Sequence, residues 1–475
     1  MASNNSRRAF LAAASGLAAT GLGRFATPLA MNLAGLGSLA ASQASAATTN
    51  DGYKALVCLF MQGGNDSHNW VVPMDSANYA SYAAARRELA VPANKLLAMS
   101  TSGQAAGRSF GMPQELSPLL ARYEAGQCAV LANVGTLVRP VTKSEAMAGV
   151  GVPAKLYSHN DQQAMWQSLQ PEGAPTGWGG RMGDVLMAAN QEPVFTAIST
   201  NGNAVFLSGS KVSQYQLGLN GPVMISPAQA GTHAGSAAVP TALKSMLGAT
   251  SSPNDFQAEY LKVVQRSLAT AGTLQSALSS SGVPALPSVN ITLPDGTSLN
   301  LASDQLAKQL RVVAQMIAAA PRLGLQRQVF MVSLSGFDAH AFQMRDQPLM
   351  MARVAQAVDW FMSALQGVGM VNNVTLFTAS DFGRTLVSNG DGSDHGWGSH
   401  HLVVGGAVKG KQILGDFPVT ALGTASDVGS GRLLPSTGVT QLAGTLGAWM
   451  GLTSTERQLV LPNLSNFGPG PSLFG

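Results

Sequence analysis

Short runs of apolar residues recur along the chain and predict buried strands. They cover residues 55–61, 128–134, 193–198, 328–334, 374–379 and 402–404. Runs of this length, with little alternation between apolar and polar positions, are typical of strands buried on both faces of a parallel sheet.

Two segments between these runs carry apolar residues at helical spacing. One covers residues 348–366, with Pro348 in its first turn and Gly367 at its end, and the other covers residues 304–319. Strands that alternate with helices predict an α/β fold with a mostly parallel sheet. In such folds ligands bind beyond the carboxyl ends of the strands.

The middle of the chain has a different composition. Residues 200–253 and 279–297 are rich in Gly, Ser, Ala and Pro, and a helix is predicted between them at 256–278. We interpret the region around 200–300 as an insertion that covers one edge of the sheet and could serve as a lid. We find neither an internal repeat nor a clean linker, and therefore expect a single domain at residues 47–475.

Composition and charge narrow the class of protein. Of the 475 residues, 45% are hydrophobic and 11% are charged, which permits a large core and excludes a disordered chain. The net charge is +4, but the first 46 residues hold three arginines and no acidic residue, so the remainder carries +1. This balance gives no reason to expect nucleic acid as a partner. Cys58 and Cys128 lie in apolar runs and are interpreted as buried free thiols rather than a bridge.

The amino terminus predicts export. Arg7 and Arg8 form a twin-arginine pattern, a weakly apolar stretch follows, and Ala44-Ser45-Ala46 provides a small-x-small cleavage site. We therefore expect residues 1–46 to be a signal peptide, the twin-arginine translocase to be a partner during export, and the mature chain to be periplasmic or secreted. A cytosolic protein with a frayed basic tail and an uncleaved anchor are the alternatives. After residue 47 no apolar run approaches the length of a membrane span.

Histidine and aspartate cluster in short polar motifs. Six of the seven histidines stand in such motifs, and only His233 does not; the six are His68, His159, His340, His395, His400 and His401. Several of these motifs follow predicted strands, and the carboxyl ends of parallel strands meet at one edge of a sheet. The side chains expected to converge there are Asp66, Asp338, His340, Asp381, Asp394 and His395. Converging carboxylates repel unless a cation holds them, and mixed Asp and His ligands suit Zn²⁺ or Mn²⁺ better than Ca²⁺.

Each motif also has a structural interpretation. Asp66 could form an Asx-turn or a helix cap, and Asp161 could cap the helix that follows it, which leaves the role of His159 open. Asp338 and His340 could be an ordinary hydrogen-bonded pair, Asp381 and Arg384 could form an ion pair, and one of His400 and His401 is expected to face the core.

The motifs and their order resemble a known family. The twin-arginine leader, Gly-Gly-Asn-Asp at 63–66, Gly-Phe-Asp-Ala-His at 336–340, Asp-Phe-Gly-Arg at 381–384, Asp-His-Gly at 394–396 and Gly-Gly-Ala-Val-Lys-Gly at 405–410 resemble the exported bacterial family "domain of unknown function 1501" over residues 50–470. That family is similar to the alkaline phosphatase and sulfatase superfamily. The resemblance implies a three-layer α/β/α sandwich that binds one or two divalent metals.

The resemblance also assigns roles. It implies Asp66 as a ligand after the first strand, Ser158 as a nucleophile at the start of a helix, and further metal ligands among Asp338, His340, Asp381, Asp394 and His395 or His400. The spacing of Asp338-Ala339-His340 is shorter than the superfamily pattern, and Phe382 stands where the superfamily has a histidine.

These features predict an exported, metal-dependent hydrolase of phosphate or sulfate esters. Ser158 would attack, His159 would be the nearest base in sequence, and Arg384 would steady the anion through a charge-assisted fork. The substrate would be a small-molecule or glycan ester. The alternative is a non-catalytic periplasmic or surface protein of the same fold that binds a glycan or a protein partner.

Overall fold

The computed structural model describes residues 52–222, 236–247 and 255–475. The predicted export signal, its cleavage site and His233 lie outside these residues. All described elements belong to one compact unit, Ala47–Gly475.

The strands and helices are numbered here in chain order. The strands are β1 (Lys54–Gln62), β2 (Val72–Pro73), β3 (Leu96–Met99), β4 (Phe110–Pro113), β5 (Cys128–Gly135), β6 (Ala197–Ser199), β7 (Tyr215–Gly218), β8 (Gly221–Pro222), β9 (Asn290–Thr292), β10 (Ser298–Asn300), β11 (Arg327–Ser335), β12 (Val374–Ser380), β13 (Arg384–Ser388), β14 (Ser393–His395), β15 (Ser399–Val404), β16 (Ile413–Leu414) and β17 (Thr437–Gly438). The α-helices are α1 (Ser76–Arg86), α2 (Ser117–Glu124), α3 (Lys143–Met147), α4 (His159–Ser168), α5 (Trp178–Leu186), α6 (Ala238–Leu247), α7 (Asp255–Ser279), α8 (Gln305–Ala319), α9 (Gln343–Gly367), α10 (Val439–Met450) and α11 (Ser454–Val460).

One large sheet forms the middle layer. Its strand order is β16-β5-β15-β12-β1-β11-β6-β7-β8, with β17 also paired to β5. β1 lies in parallel register between β11 and β12, and β6 continues the parallel run beside β11. β15 runs antiparallel to both β12 and β5, and β8 runs antiparallel to β7. The predicted α/β fold with a mostly parallel sheet is confirmed.

Alternate residues of the buried strands supply two separate cores, one on each face of the sheet. On β1, Val57 and Leu59 pack with residues of α8 and α9, and Leu56 and Phe60 pack with residues of α5 and α10. Helices therefore cover both faces, and the chain has three layers. This explains why the strand sequences read as continuous apolar runs.

Three elements differ from the sequence prediction. The strand predicted at 193–198 is a 3-10 helix at Pro193–Phe195 followed by β6, because proline cannot donate to a sheet ladder. The run at 402–404 belongs to β15 and is antiparallel rather than parallel. Helix α9 starts at Gln343, five residues before the predicted start, so Pro348 lies inside the helix.

The insertion extends one end of the sheet. β7 and β8 form the last strands beyond β6, and α7 packs near β8 and α8. A role for this region as a lid stays a prediction. Among the helices of the described ranges, none has the length and apolarity required to cross a bilayer.

The two cysteines are buried free thiols, as predicted. Cys58 belongs to the core on one face of the sheet and Cys128 to the core on the other, so the sheet separates them. Burial raises the pKa of Cys58 and raises that of Cys128 to about 12, which keeps both thiols protonated and unreactive.

Candidate metal centre

The candidate site lies where the loops after β1, β11 and β12 meet. The loop after β1 can approach the loop after β11 because residue 63 is glycine. Gly63 has φ of 115°, and a Cβ there would overlap the backbone of Asp338. These loops are joined by the N-terminus of α4, which carries His159, and by β14, which ends at His395.

Three histidines and one aspartate converge at this edge. The Nε2 atom of His340 lies 2.8 Å from Nε2 of His395 and 3.3 Å from Oδ1 of Asp338. The Nε2 atom of His395 lies 3.5 Å from the same carboxylate oxygen, and Nε2 of His159 lies 3.6 Å from Oδ2 of Asp338. All three imidazoles thus present the same ring atom, Nε2, to Asp338.

The opposite nitrogen of each ring faces an acceptor. Nδ1 of His159 lies 2.7 Å from Oδ2 of Asp381, and Nδ1 of His395 lies 2.7 Å from the carbonyl oxygen of Tyr157. Nδ1 of His340 lies 3.4 Å from Oδ1 of Asp394. An acceptor at Nδ1 favours the tautomer that carries its proton there, which leaves the lone pair of Nε2 directed toward the cluster.

The electrostatics keep Asp338 and His395 in the forms that bind metal. Burial pushes the pKa of Asp338 up, but the hydrogen bond and charge of Arg384 outweigh it, and the net pKa lies below its usual range. Burial lowers the pKa of His395, and the charge of Arg384 lowers it further. At neutral pH the site therefore offers an ionised carboxylate and a neutral imidazole, as metal ligands must be.

The donor set fits a divalent transition metal. Ligand atoms of His159, Asp338 and His395 all lie within 4.8 Å of one another. His340 adjoins this group through His395 and Asp338. Imidazole nitrogens with one carboxylate suit Zn²⁺ or Mn²⁺ and do not suit Ca²⁺, which takes oxygen ligands.

Asp381 and Asp394, predicted as ligands, stand behind histidines. Asp381 is buried, and its Oδ2 accepts hydrogen bonds from Gln163 Nε2 at 2.8 Å and from His159. Its Oδ1 accepts the backbone N–H of Gly63 at 3.1 Å. Asp394 is half-exposed and lies on the outer side of His340. Both are placed to orient imidazoles rather than to contact an ion.

Asp66 and His400 are engaged by partners outside the cluster. The buried carboxylate of Asp66 is bound by Arg86 and Gln343, and its Oδ1 accepts the N–H of His68 as the cap of a 3-10 helix. Burial raises the pKa of Asp66, but the charges of Arg86 and His68 and the hydrogen bonds from Gln343 and Arg86 together outweigh it, and the net pKa is lowered. His400 Nδ1 accepts the N–H of Asn133 at 3.1 Å. The capping interpretation of Asp66 matches these contacts.

The adjacent histidines of β15 both face the core. His400 stacks on Phe417 with ring centroids 4.2 Å apart, and His401 packs on Trp166 at 4.8 Å from the opposite face of the strand. Burial lowers the pKa of His400 well below its usual value and lowers that of His401 to about 3. Sequence reasoning expected only one of them inside.

Arg384, predicted to bind an anion, is fully buried. Its guanidinium donates to the carbonyl oxygens of Gly64 at 2.8 Å, Gly63 at 2.6 Å, Ser393 at 2.9 Å and Phe337 at 3.2 Å, and to the carboxylate of Asp338. The side chain has no exposed surface. In this structure it joins the loops of the site and holds Asp338 instead of facing solvent.

Ser158 is the N-cap residue of α4, but its hydroxyl makes no capping bond to a backbone N–H. It donates instead to Oδ2 of Asp161 at 2.7 Å. The base in contact with Ser158 is therefore Asp161. His159, the base predicted from its adjacency in sequence, has both ring nitrogens directed to aspartates.

Several contributors were not found from the sequence. Gln163 follows His159 by one helical turn, and this i, i+4 spacing was the available signal. The carbonyl oxygen of Tyr157 contacts Nδ1 of His395, and Tyr157 has φ of 74°. No sequence pattern around Tyr157 predicts this contact or this backbone conformation. Arg86 ends helix α1, 20 residues after Asp66, and no local motif predicts that the two side chains pair.

An exposed aromatic residue lies close to His340 in sequence. Phe342 follows His340 by two residues, has φ of 54°, and is 56% exposed. It occupies the N-cap position of α9 and supplies no side-chain cap. Bulky residues with positive φ cost about 1 to 3 kcal/mol, and such strain concentrates at functional sites.

Comparison with known proteins identifies the family. The model of the family described as "Protein of unknown function (DUF1501)" matches residues 53–461. The chain belongs to this family. The resemblance found from the motifs is thereby confirmed. Comparison with curated proteins gives no match.

Similarities to solved structures are distant. A "4S-sulf" protein of a Bacteroides thetaiotaomicron locus for the metabolism of multiple glycosaminoglycans is 12% identical, with a TM-score of 0.35 and coverage of 86% of this chain and 75% of that chain. The phosphonate monoester hydrolase from Silicibacter pomeroyi is 11% identical, with a TM-score of 0.30 and coverage of 84% and 73%. The lipoteichoic acid synthase from Listeria monocytogenes is 8% identical, with a TM-score of 0.29 and coverage of 87% and 76%. At these values the function of the DUF1501 chain has to be argued from its own residues.

Proposed function

We propose that this DUF1501 protein is an exported, metal-dependent hydrolase of phosphate or sulfate esters. One observation carries the proposal: three imidazoles present Nε2 toward the same carboxylate, and each has an acceptor at Nδ1. Three rings oriented in common, each with an acceptor behind it, support a metal site more than three separate structural histidines.

Four side chains would hold the ion, namely His159, Asp338, His340 and His395. A bound divalent metal would supply Lewis-acid polarisation of an ester oxygen. The protein's own part is to keep the imidazole of His395 neutral, the carboxylate of Asp338 ionised and the loops fixed. Arg384 serves the last two of these tasks through its contacts with Asp338 and the loop carbonyls.

Ser158 is the proposed nucleophile and Asp161 its base. As the serine oxygen bonds to phosphorus or sulfur, its proton passes to Asp161 Oδ2, which already accepts that hydrogen bond at 2.7 Å. The bond between phosphorus or sulfur and the alcohol oxygen breaks, and the alcohol leaves with a proton taken from water. The hydroxide so formed hydrolyses the seryl ester and releases phosphate or sulfate, and Asp161 returns its proton to Ser158. The N-terminus of the ten-residue helix α4 begins directly after Ser158 and favours the negative charge of such a substrate.

Export remains part of the proposal and rests on Arg7, Arg8 and the cleavage site. Replacing both arginines by lysine keeps the charge but removes the pair that the translocase reads. The precursor of the double variant should remain in the cytoplasm, as measured by fractionation. Maturation at the wild-type rate would contradict twin-arginine export.

Metal binding is tested directly by elemental analysis of the purified mature chain. Wild type should retain about one or two equivalents of Zn²⁺ or Mn²⁺, and His159→Ala and Asp338→Ala should each lose most of it and unfold at a lower temperature. The matched control is Asp295→Asn, which alters an aspartate in an exposed turn. It should change neither the metal content nor the unfolding temperature. Wild-type metal content in both ligand variants would refute the centre.

Catalysis is tested with aryl phosphate, phosphodiester and sulfate substrates. Ser158→Ala should lower turnover by several orders of magnitude at nearly unchanged thermal stability, because its hydroxyl caps no backbone group. Retained turnover in a folded Ser158→Ala protein would remove Ser158 from the reaction. Metal retention without turnover of any ester would instead favour the non-catalytic binding protein.

A further inference from the structure

The side chain of Phe342 contributes little to the stability of the fold. Its ring is 56% exposed and belongs to neither of the large cores on the two faces of the sheet. Its backbone is left-handed, and as the N-cap of α9 it supplies no hydrogen bond. Asparagine would fit this position better, since it tolerates a positive φ, is commonly exposed to solvent and caps helices. Because stability does not explain an aromatic residue at this position, we consider a role in ligand binding.

The backbone around Phe342 is fixed close to the metal ligands. Two peptide units separate it from His340, which places their Cα atoms within about 7.6 Å of each other. The carbonyl oxygen of Phe342 accepts the N–H groups of Arg345 and Asp346 at 3.1 Å each, and the N–H of Gln343 donates to the carbonyl oxygen of Asp391 at 3.0 Å. The backbone that carries the ring is therefore held by hydrogen bonds two residues after His340.

The ring is also supported from one side. The guanidinium carbon of Arg345 lies 4.3 Å from the ring centroid of Phe342. Arg345 is itself held by two hydrogen bonds to Asp346, at 2.7 and 2.8 Å. A cation stacked on one face orients the ring and leaves most of the remaining surface in water.

From these observations we infer that Phe342 is a specificity-determining platform for the alcohol part of the ester. The ligand chemistry that it fits is a flat apolar ring face, as found on an aryl group or on the C–H face of a sugar. The anionic end of the same molecule would reach the His159, Asp338, His340 and His395 cluster. This inference rests on the proposed function and names the substrate class: phosphate or sulfate esters of ring-bearing alcohols.

The test compares anions that differ only in the group beside the charge. Inorganic phosphate, methylphosphonate, phenylphosphonate and glucose 6-phosphate are titrated calorimetrically into metal-loaded protein. Wild type should bind at least one ring-bearing probe about 3- to 10-fold more tightly than methylphosphonate, the gain expected of one aromatic contact. Preference for phenylphosphonate indicates an aryl source, and preference for glucose 6-phosphate indicates a glycosyl source.

Variants separate the platform from a structural role. Phe342→Asn should abolish the ring preference, leave the affinity for methylphosphonate unchanged, and keep or raise the melting temperature. Phe342→Tyr should retain the preference, and so should Leu459→Asn, which changes an apolar residue that is 76% exposed on another helix. Equal affinities in wild type, or a ring preference that survives Phe342→Asn, would overturn the inference. If inorganic phosphate itself does not bind, the proposed function fails and the platform fails with it.

Discussion

Asp381→Asn is predicted to weaken metal binding without touching a ligand. The wild-type carboxylate accepts three hydrogen bonds, two at Oδ2 from His159 Nδ1 and Gln163 Nε2 and one at Oδ1 from the N–H of Gly63. Asparagine has nearly the same shape but only one oxygen. If its amide oxygen faces His159, its NH₂ group opposes the N–H of Gly63, and the reverse orientation opposes its NH₂ group to His159 and Gln163.

The magnitude follows from this conflict. A buried donor left without an acceptor costs about 1 to 3 kcal/mol, so the free energy of unfolding of the apo protein should fall by that amount. An NH₂ group opposite Nδ1 shifts the proton of His159 to Nε2, which removes the lone pair from the centre. Loss of such an orienting partner typically lowers metal affinity about 10- to 100-fold, or about 1.4 to 2.8 kcal/mol.

The assay is competition for Zn²⁺ against a chelator of known affinity, with chemical denaturation of the apo protein alongside. Gln163→Met is the matched control, because it removes another donor to the same Oδ2 but leaves the pair of His159 and Asp381 intact. Its metal affinity should stay within about threefold of wild type. A metal affinity of Asp381→Asn equal to that of the control would refute the tautomer argument.

Two further predictions concern stability. Arg86→Met should lower the free energy of unfolding, measured by urea denaturation, by about 3 to 5 kcal/mol, because it leaves the buried carboxylate of Asp66 without its cation. The control Arg87→Met changes an exposed residue and should alter the free energy of unfolding by less than about 0.5 kcal/mol. Equal effects of the two variants would contradict the pairing of Arg86 with Asp66. Burial lowers the pKa of His68 from 6.5 to about 4 and that of His401 from 6.5 to about 3, so the unfolded chain binds more protons below pH 6.5. Stability should therefore fall as the pH drops from 6.5 toward 4, and His401→Leu should flatten that slope; an unchanged slope would count against His401 as a titrating group.

The fold was largely predictable because burial on both faces leaves a local signal. The run at 55–61 became β1 and the run at 328–334 became β11, since most positions of strands buried on both faces are apolar. The direction of β15 was not predictable. Strand direction depends on which neighbours the strand pairs with, and no residue of the run at 402–404 encodes that choice.

The site was predictable in its chemistry but less so in its geometry. The motifs gave the aspartates and histidines, and Asp338, His340 and His395 do meet. Small differences in loop geometry, of a few ångströms, decide whether an aspartate faces the cluster or lies behind a histidine ring. Asp381 illustrates this, because its position under His159 arises from a contact between residues 222 positions apart.

The contacts of Arg384 determine when the centre can exist during synthesis. Its guanidinium reaches the carbonyl oxygen of Gly63 across 321 residues of chain. At about 5 to 20 residues per second, the ribosome adds Arg384 roughly 15 to 65 seconds after Gly63. Until then the loop after β1 lacks its partner, and the emerging amino-terminal half offers at most His159 from the ligand set. The centre can thus form only after residue 395 has been added, and an ion captured earlier would find only scattered side chains.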